Sequence, residues 1–345
     1  MKFNIWNFKS IQLTGDDFNY YFNSIITKGK KDNTYKFALA RFLVDYAYHL
    51  DDGYIDSRLE NNTNEIIEFP IIAKSFLKYY WHQICKYKIR QNHNLDKLPL
   101  IVQIIQSVFG REYIPESFES MNKEKVRIAE NMISKKCFDE VVPRFQNLTD
   151  GIHVTANKVF YEFHNNSFHN NSIEVKPAAL EFFKENYSFL FKGVILEWAK
   201  FLEKINHGLP RLISKIEGDV PSRSSLEKIK SILLEHSVTC FYCPNRLSTD
   251  KRMIHVDHFI PWSYIFEDEI WNLVLTCRYC NLKKHSSLPP KQFVRLLMKR
   301  NDLYRDAING LKKSLVRLDP ELQQERAIMK HYQNCMDYGF TVTHF

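Results

Sequence analysis

Four cysteines stand as two Cys-x-x-Cys pairs in the C-terminal third of the chain. Cys240 and Cys243 form the first pair, and Cys277 and Cys280 form the second pair, with 33 residues between the two pairs. This spacing is typical of a closed, tetrahedral zinc site. The sequence therefore predicts a structural Zn²⁺ that holds the intervening segment together.

Side chains suited to metal-assisted hydrolysis lie within or directly after this segment. Asp257 and His258 are adjacent, Asn272 follows them, and Asn281 comes immediately after the last cysteine. A carboxylate, an imidazole and two amides on a metal-bound scaffold indicate hydrolysis assisted by a second metal ion. A zinc ribbon that binds nucleic acid or acts as a scaffold, without catalysis, stays open as an alternative.

The excess positive charge of the chain is concentrated around these residues. The formal net charge is +8; residues 221–300 hold 13 Lys/Arg against seven Asp/Glu, whereas residues 1–220 hold 29 against 27. Between residues 270 and 301 there are seven basic residues and no acidic one. Such runs also occur on solvated helix faces, but beside a hydrolytic site they predict a polyanionic substrate, namely nucleic acid.

The order of these motifs resembles the HNH endonuclease family, also called ββα-metal nucleases, in its four-cysteine subtype. The resemblance covers roughly residues 236–290 and rests on the two cysteine pairs, VDHFIPWS at 256–263, NLVLTC at 272–277 and CNLKK at 280–284. It implies two strands and a helix, with Asp257 and His258 at the end of a strand.

The resemblance also implies a role for each candidate residue. His258 would be the general base that activates a water molecule, and Asn272 would hold the orientation of this base or of its loop. Asp257 and Asn281 would bind one divalent cation, Mg²⁺ or Mn²⁺, through oxygen atoms. The family position of Asn281 is often His, so His285 stays an alternative or additional ligand.

Basic residues that follow the second cysteine pair are predicted to contact nucleic acid. Lys284 lies one helical turn beyond Asn281, which places it in reach of a phosphate group near the metal. Arg278 and His285 are expected to contact the nucleic acid as well.

The loop between His258 and Asn272 departs from the family pattern. The Gly-Gly pair that is common there is missing, and Trp262, Phe266 and Trp271 occupy the loop instead. We predict that these aromatic side chains pack within the protein, over the cysteine cluster, and contact with DNA sugars is the alternative.

Helical periodicity dominates the rest of the chain. The fold class is therefore predicted to be mainly α with a helical N-terminal domain, and the resemblance implies a small α+β (ββα-metal), zinc-stapled nuclease cassette within it. A polar segment at 164–172 is predicted to be a hairpin loop between two strand-like stretches. The predicted helices are 34–50, 68–90, 97–109, 121–140, 178–206, 224–236, 291–315 and 320–335, and the predicted strands are 152–163 and 172–176.

A Pro- and Ser-containing segment at 209–225 is predicted to separate two domains. Residues 1–220 would form a mainly helical domain of unassigned role in recognition, sensing or partner binding. Residues 221–345 would form the nuclease domain, with its core at 236–290 and further helices after it. A helical domain of this size predicts a protein partner or a homodimer.

The remaining cysteines indicate a reducing compartment. Cys85, Cys137 and Cys335 are scattered and odd in number, which favours the cytoplasm over a disulfide-bonded environment. The sequence contains no run of eighteen apolar residues, so no membrane span is predicted. The N-terminus lacks the charged-then-apolar order of a secretory signal.

Together these features predict a metal-dependent endonuclease that hydrolyses phosphodiester bonds in DNA, in restriction, phage defence or a mobile element. One metal and one base cleave one strand at each site, so a double-strand cut would need a dimer or two nicks. Two alternatives stay open, an RNA-cleaving effector with the same cassette and a non-catalytic zinc-ribbon module that binds nucleic acid.

Overall fold

The structure is a computed structural model, and it describes most of the chain. The described residues are 14–29, 31–94, 97–111, 114, 116–147, 159–164, 171–206, 208–218, 225–321 and 323–345. They fall into two compact units, the first within residues 1–80, 91–109 and 121–205 and the second within residues 81–90, 110–120 and 206–345. Whether 1–220 and 221–345 are independent domains stays a prediction.

The first unit is mainly helical. Helix α1 begins at a capping box, in which the Thr14 hydroxyl accepts from the Asp17 backbone N–H (3.3 Å) while the Asp17 carboxylate accepts from the Thr14 N–H (2.9 Å). Helix α2 packs on α9. The helices are α1 (Gly15–Thr27), α2 (Tyr35–Tyr48), α3 (Asp52–Glu60), α4 (Phe69–Trp81), α5 (Leu100–Phe109), α6 (Lys123–Lys136), α7 (Val141–Arg144), α8 (Pro177–Glu185) and α9 (Tyr187–Glu203).

Two of the predicted helices differ from those observed. The predicted helix 178–206 is divided into α8 and α9 at Asn186, whose side-chain amide donates to the Phe182 carbonyl (2.9 Å) and so ends α8. The predicted helix 68–90 ends at Trp81, and a π-helical turn at His82–Lys86 follows it.

A small antiparallel sheet completes the first unit. Its strands are β1 (Glu65–Glu68), β2 (Tyr161–His164) and β3 (Ser172–Val175), in the order β1-β3-β2. Ile173 of β3 pairs with Ile67 of β1, and both side chains are buried. The sequence did not predict β1, and residues 152–158 of the longer predicted strand and 165–170 of the polar loop lie outside the described residues.

The second unit contains the cysteine motifs and a second small sheet. The elements are α10 (Leu212–Glu217), α11 (Glu227–Leu234), β4 (Ile254–His258), α12 (Trp262–Ile265), β5 (Leu273–Cys277), α13 (Arg278–Lys284), α14 (Gln292–Tyr304), α15 (Leu311–Leu318) and α16 (Gln324–Asp337). Strands β4 and β5 are antiparallel, and α13 packs against both of them. This strand–strand–helix arrangement, within a mainly helical chain, confirms the predicted fold class.

The predicted helix 291–315 is divided into α14 and α15. Gly310 stands directly before α15 with φ of +85°, a conformation that favours glycine. A side chain at this position would also approach Ile270, because a Cβ atom built on Gly310 lies 3.2 Å from its Cδ1 atom. The break therefore lets α15 begin against the 3₁₀ turn at Ile270–Asn272.

Among the described residues, no helix combines the length and the apolar character that a membrane crossing requires.

Candidate active site

The four cysteines form one cluster. Their sulfur atoms all lie within 4.8 Å of one another. The Cys240 sulfur accepts from the Cys277 backbone N–H (3.4 Å), and the Cys277 sulfur accepts from the Cys280 N–H (3.4 Å). Such N–H donors stabilise thiolates, so the cluster is compatible with binding a metal ion that prefers sulfur, and its occupancy by Zn²⁺ stays a prediction.

Strand β4 ends at the two residues of the Asp-His motif. In the β4–β5 register, Asp257 lies opposite Val274 and His258 lies opposite Leu273. The carboxylate of Asp257 is 7% exposed and accepts from the Tyr242 hydroxyl (2.7 Å). The strand therefore brings a buried carboxylate and an imidazole to one end of the small sheet.

Lys284 contacts the same carboxylate. Its fully buried ammonium lies 2.9 Å from Oδ2 and 3.2 Å from Oδ1 of Asp257, and it donates to the His258 carbonyl (2.8 Å). The ammonium is thus satisfied inside the protein by partners on β4. Phosphate contact by Lys284 stays a prediction, and it would require this ion pair to open.

The imidazole of His258 has a partner that the sequence analysis did not select. Its Nε2 atom lies 2.8 Å from Oδ1 of Asp268, with the two side chains 13% and 20% exposed. A signal was present in the sequence, because Glu267-Asp268-Glu269 is an acidic run between the base and Asn272, immediately before a segment without acidic residues. Charge alone did not show which of the three acids would reach the imidazole.

Asn272 is fully buried and holds the loop that follows His258. Its side-chain oxygen accepts from the Ile260 N–H (2.7 Å), and its side-chain nitrogen donates to the Ile260 carbonyl (2.9 Å). Its own carbonyl accepts from the Phe259 N–H (2.8 Å). These contacts support the predicted role of Asn272 in holding the loop. A role of Asn272 in catalysis stays a prediction.

Asn281, Arg278 and His285 lie on or at the end of α13. Asn281 is half-buried, and within the described residues its side chain makes no hydrogen bond. Arg278 and His285 are exposed. His285 follows the last helical residue with φ of +49°, and its Nδ1 atom lies 2.9 Å from the Ser286 hydroxyl. The structure thus leaves the Asn281 amide partly accessible in the middle of α13, the helix that packs on β4.

The oxygen donors fit a hard divalent cation. A carboxylate offers about four acceptor positions, so the contacts from Tyr242 and Lys284 leave Asp257 able to accept a further partner. An amide oxygen, such as that of Asn281, is a neutral ligand of the type that Mg²⁺ and Mn²⁺ bind, and the binding of a cation by Asn281 stays a prediction.

The aromatic residues of the loop are buried, as predicted. Trp262, Phe266 and Trp271 are each at most 8% exposed. The Phe266 ring lies 5.4 Å from Tyr87, and the Trp271 ring lies 6.0 Å from His331 of α16. The loop is therefore held by packing on the surrounding helices, in place of the flexible glycines found in the family.

Comparison with known families agrees with this geometry. Residues 240–290 match the family model described as HNH endonuclease, so this segment is similar to that family and the predicted resemblance is confirmed. The match indicates nuclease activity and nucleic-acid binding. Residues 17–131 match a family described as a domain of unknown function (DUF8808). Neither the curated proteins nor the solved structures contain a match to the chain.

Proposed function

We propose that the protein is a metal-dependent endonuclease that hydrolyses phosphodiester bonds in DNA, in restriction, phage defence or a mobile element. The observation that carries the proposal is the placement of Asp257 and His258 at the end of β4, within the segment that matches the HNH family. A nuclease needs a base for water and an anchor for a cation, and these two residues supply them at adjacent positions.

His258 is proposed as the general base. Its Nε2 atom lies 2.8 Å from the Asp268 carboxylate, which can only accept a hydrogen bond. The proton of the neutral ring therefore resides on Nε2, and Nδ1 carries the lone pair. A neutral imidazole in this form can take the proton of a water molecule as the water attacks phosphorus.

Asp257 and Asn281 are proposed to hold one Mg²⁺ or Mn²⁺ ion. When bound, this ion supplies stabilisation of the negative charge on the scissile phosphate and on the leaving 3′-oxygen. A separate Zn²⁺ is proposed for the four-cysteine cluster, where it holds β5 and α13 to the loop that carries Cys240 and Cys243.

Exposed basic residues on α13 are proposed to contact the substrate. Arg278 begins the helix and His285 follows it, so both can reach phosphates on either side of Asn281. The buried Lys284 acts instead through Asp257, whose negative charge it balances. Replacement of Arg278 is therefore expected to weaken binding to all sequences alike and to reduce its salt dependence.

Plasmid nicking tests the proposal. Purified protein in Mg²⁺ or Mn²⁺ should convert supercoiled DNA to open circles, and EDTA or His258→Ala should abolish this conversion. A parallel RNA substrate identifies the RNA-cleaving alternative. Nucleic-acid binding without cleavage of DNA or RNA, under any divalent metal, would identify the non-catalytic zinc module and contradict the proposed enzyme.

Residues 1–220 are proposed to target or regulate the nuclease through a protein partner or a homodimer. The support is the helical content of this region and its separate family match, which assigns it no activity. Light scattering over a range of concentrations tests self-association. The cytoplasmic location stays a prediction from the unpaired cysteines.

A further inference from the structure

The loop between the proposed base and Asn272 carries three consecutive acids, Glu267, Asp268 and Glu269, here called the acidic triplet. Its middle member contacts His258 at 2.8 Å. We infer that Asp268 is a positioning residue that fixes the tautomer and the ring orientation of His258. The inference rests on the proposed function, since it assigns Asp268 a role in the same reaction.

The acidic triplet is fixed on its N-terminal side. The Glu267 carboxylate accepts from two nitrogen atoms of Arg211, at 2.9 and 2.6 Å. Phe266, directly before it, has a φ of +60° and is buried, with its ring 4.8 Å from the Lys215 ammonium. The backbone therefore turns at the buried Phe266, and this turn fixes the direction in which the chain enters the acidic triplet.

The acidic triplet is fixed on its C-terminal side as well. The Glu269 carboxylate accepts from two nitrogens of Arg317, at 2.8 and 2.7 Å, and from the Ser314 hydroxyl at 2.6 Å. Its carbonyl accepts from the Asn272 N–H (2.9 Å). Since both neighbours are bound to helices of the second unit, the backbone of Asp268 is held in place and its side chain is directed at the imidazole.

The two carboxylates of the site have different partners. Asp257 is bound to Tyr242 and Lys284, whereas Asp268 is bound to His258. An acceptor at Nε2 keeps the proton on that nitrogen, and it keeps the lone pair on Nδ1. Asp257 thus serves the cation, and Asp268 serves the base.

Replacement by Asn tests the role of Asp268 in full-length protein. The amide has the same shape but can donate to Nε2, which moves the ring proton to Nδ1 and removes the lone pair. We expect Asp268→Asn to lower kcat for nicking by about 10²-fold, within the usual contribution of a general base, and to leave KM within about threefold. Its unfolding midpoint should stay near that of wild type.

The matched control is Asp306→Asn. Asp306 is an exposed carboxylate in the same unit, 3.4 Å from Lys312. This variant should nick DNA at the wild-type rate. Wild-type kcat in Asp268→Asn, with an active wild-type protein, would overturn the inference.

A measurement without substrate separates this inference from the proposed function. With ¹⁵N-labelled histidine, zinc-loaded protein without added Mg²⁺ or Mn²⁺ and a solution at about pH 8, where an ordinary imidazole is neutral, NMR reports which ring nitrogen carries the proton. The His258 signal is assigned by its loss in His258→Gln. We expect Nε2–H in the wild-type protein and a shift towards Nδ1–H in Asp268→Asn.

Plasmid nicking and NMR of the His258 ring contradict different claims. Absence of nicking by the wild-type protein contradicts the proposed function, yet the NMR result still decides how Asp268 acts on His258. A wild-type Nδ1–H tautomer, or a tautomer that is the same in both proteins, would overturn the positioning role even if the protein cuts DNA.

Discussion

The buried ion pair between Lys284 and Asp257 is the strongest constraint on individual residues in the site. Both side chains are almost fully shielded from water, and each satisfies the charge of the other at 2.9 Å. A buried charge that loses its partner is far less stable than one exposed to solvent. The pair therefore links the stability of the cassette to the integrity of its proposed metal ligand.

Removal of the Lys284 ammonium should destabilise the protein. We expect Lys284→Met to lower the free energy of unfolding by about 3 kcal/mol, because Asp257 is left buried without its counter-ion. Urea unfolding of zinc-loaded protein, without added Mg²⁺ or Mn²⁺, measures this difference. Lys283→Met is the control, since Lys283 is exposed on the same helix; equal stability of the two variants would contradict the prediction.

His331 of α16 should make stability dependent on pH. Burial, followed by the nearby Lys330 charge, lowers the pKa of His331 to about 4. The unfolded chain binds this proton near pH 6.5, so acid favours the unfolded state. The stabilisation is complete above about pH 6.5 and is lost as the pH falls towards 4.

We therefore compare wild type with His331→Phe, which keeps a ring beside Trp271. Between about pH 7 and pH 4.5, wild type should lose about 2 kcal/mol more unfolding free energy than the variant. Chemical denaturation at both pH values measures this. His344→Phe replaces an exposed histidine of the same unit and should behave as wild type. Equal losses of unfolding free energy in wild type, His331→Phe and His344→Phe would exclude His331 as the cause of the pH dependence.

At the scale of elements, the structure assigns different tasks to two asparagines of the cassette. Asn272 is buried and holds the β4–α12 connection through Ile260, whereas Asn281 is half-buried on α13. One amide organises a loop, and the other is accessible to a ligand. The resemblance to the HNH family implied the same division, with Asn272 holding the base or its loop and Asn281 binding the cation.

Substitution by Ala should separate these tasks. Asn272→Ala leaves two buried backbone groups of Ile260 unsatisfied, so we expect a loss of about 3 kcal/mol in unfolding free energy. Asn281→Ala should retain wild-type stability in zinc-loaded protein without added Mg²⁺ or Mn²⁺ and lose metal-dependent nicking. Thermal unfolding and plasmid nicking of both variants check this. Equal destabilisation by both substitutions would contradict the division.

At the scale of the whole molecule, a bound metal is expected to stabilise the fold of the second unit. All four clustered cysteines belong to the second unit, and so do Trp262 and Trp271. A segment of about fifty residues has a small core and depends on a bound metal for stability. The helices of the first unit pack around their own aromatic core, for example Phe37 on Trp198 at 6.2 Å.

Loss of the bound metal should therefore unfold the cassette selectively. Cys243→Ser, or treatment of wild type with a strong zinc chelator, should red-shift the fluorescence of Trp262 and Trp271 and retain most far-UV helical signal. Added Zn²⁺ should restore the fluorescence of chelator-treated wild type but not that of Cys243→Ser. Cys85→Ser is the control, since Cys85 is buried outside the cluster. Unchanged fluorescence after metal removal would show that the fold of the cassette does not need the metal.

The sequence by itself determined the features that depend on local spacing. The two cysteine pairs and the adjacent Asp257 and His258 were identifiable because metal ligands and strand ends follow short-range patterns. Mainly helical structure followed from apolar periodicity. The helix interruptions at Asn186 and Gly310 were not predicted. A side-chain hydrogen bond ends the helix at Asn186 and a positive φ angle separates two helices at Gly310, and the apolar periodicity of the sequence continues across both breaks.

Only the tertiary structure decided which charged groups meet. Lys284 and Asp257 are 27 residues apart, and their pairing depends on how α13 packs on β4. Asp268 reaches His258 because Arg211 and Arg317 hold its two neighbours, and these arginines come from distant helices. Charge partners of this kind are set by the packing of elements, and a linear sequence contains no distance between them.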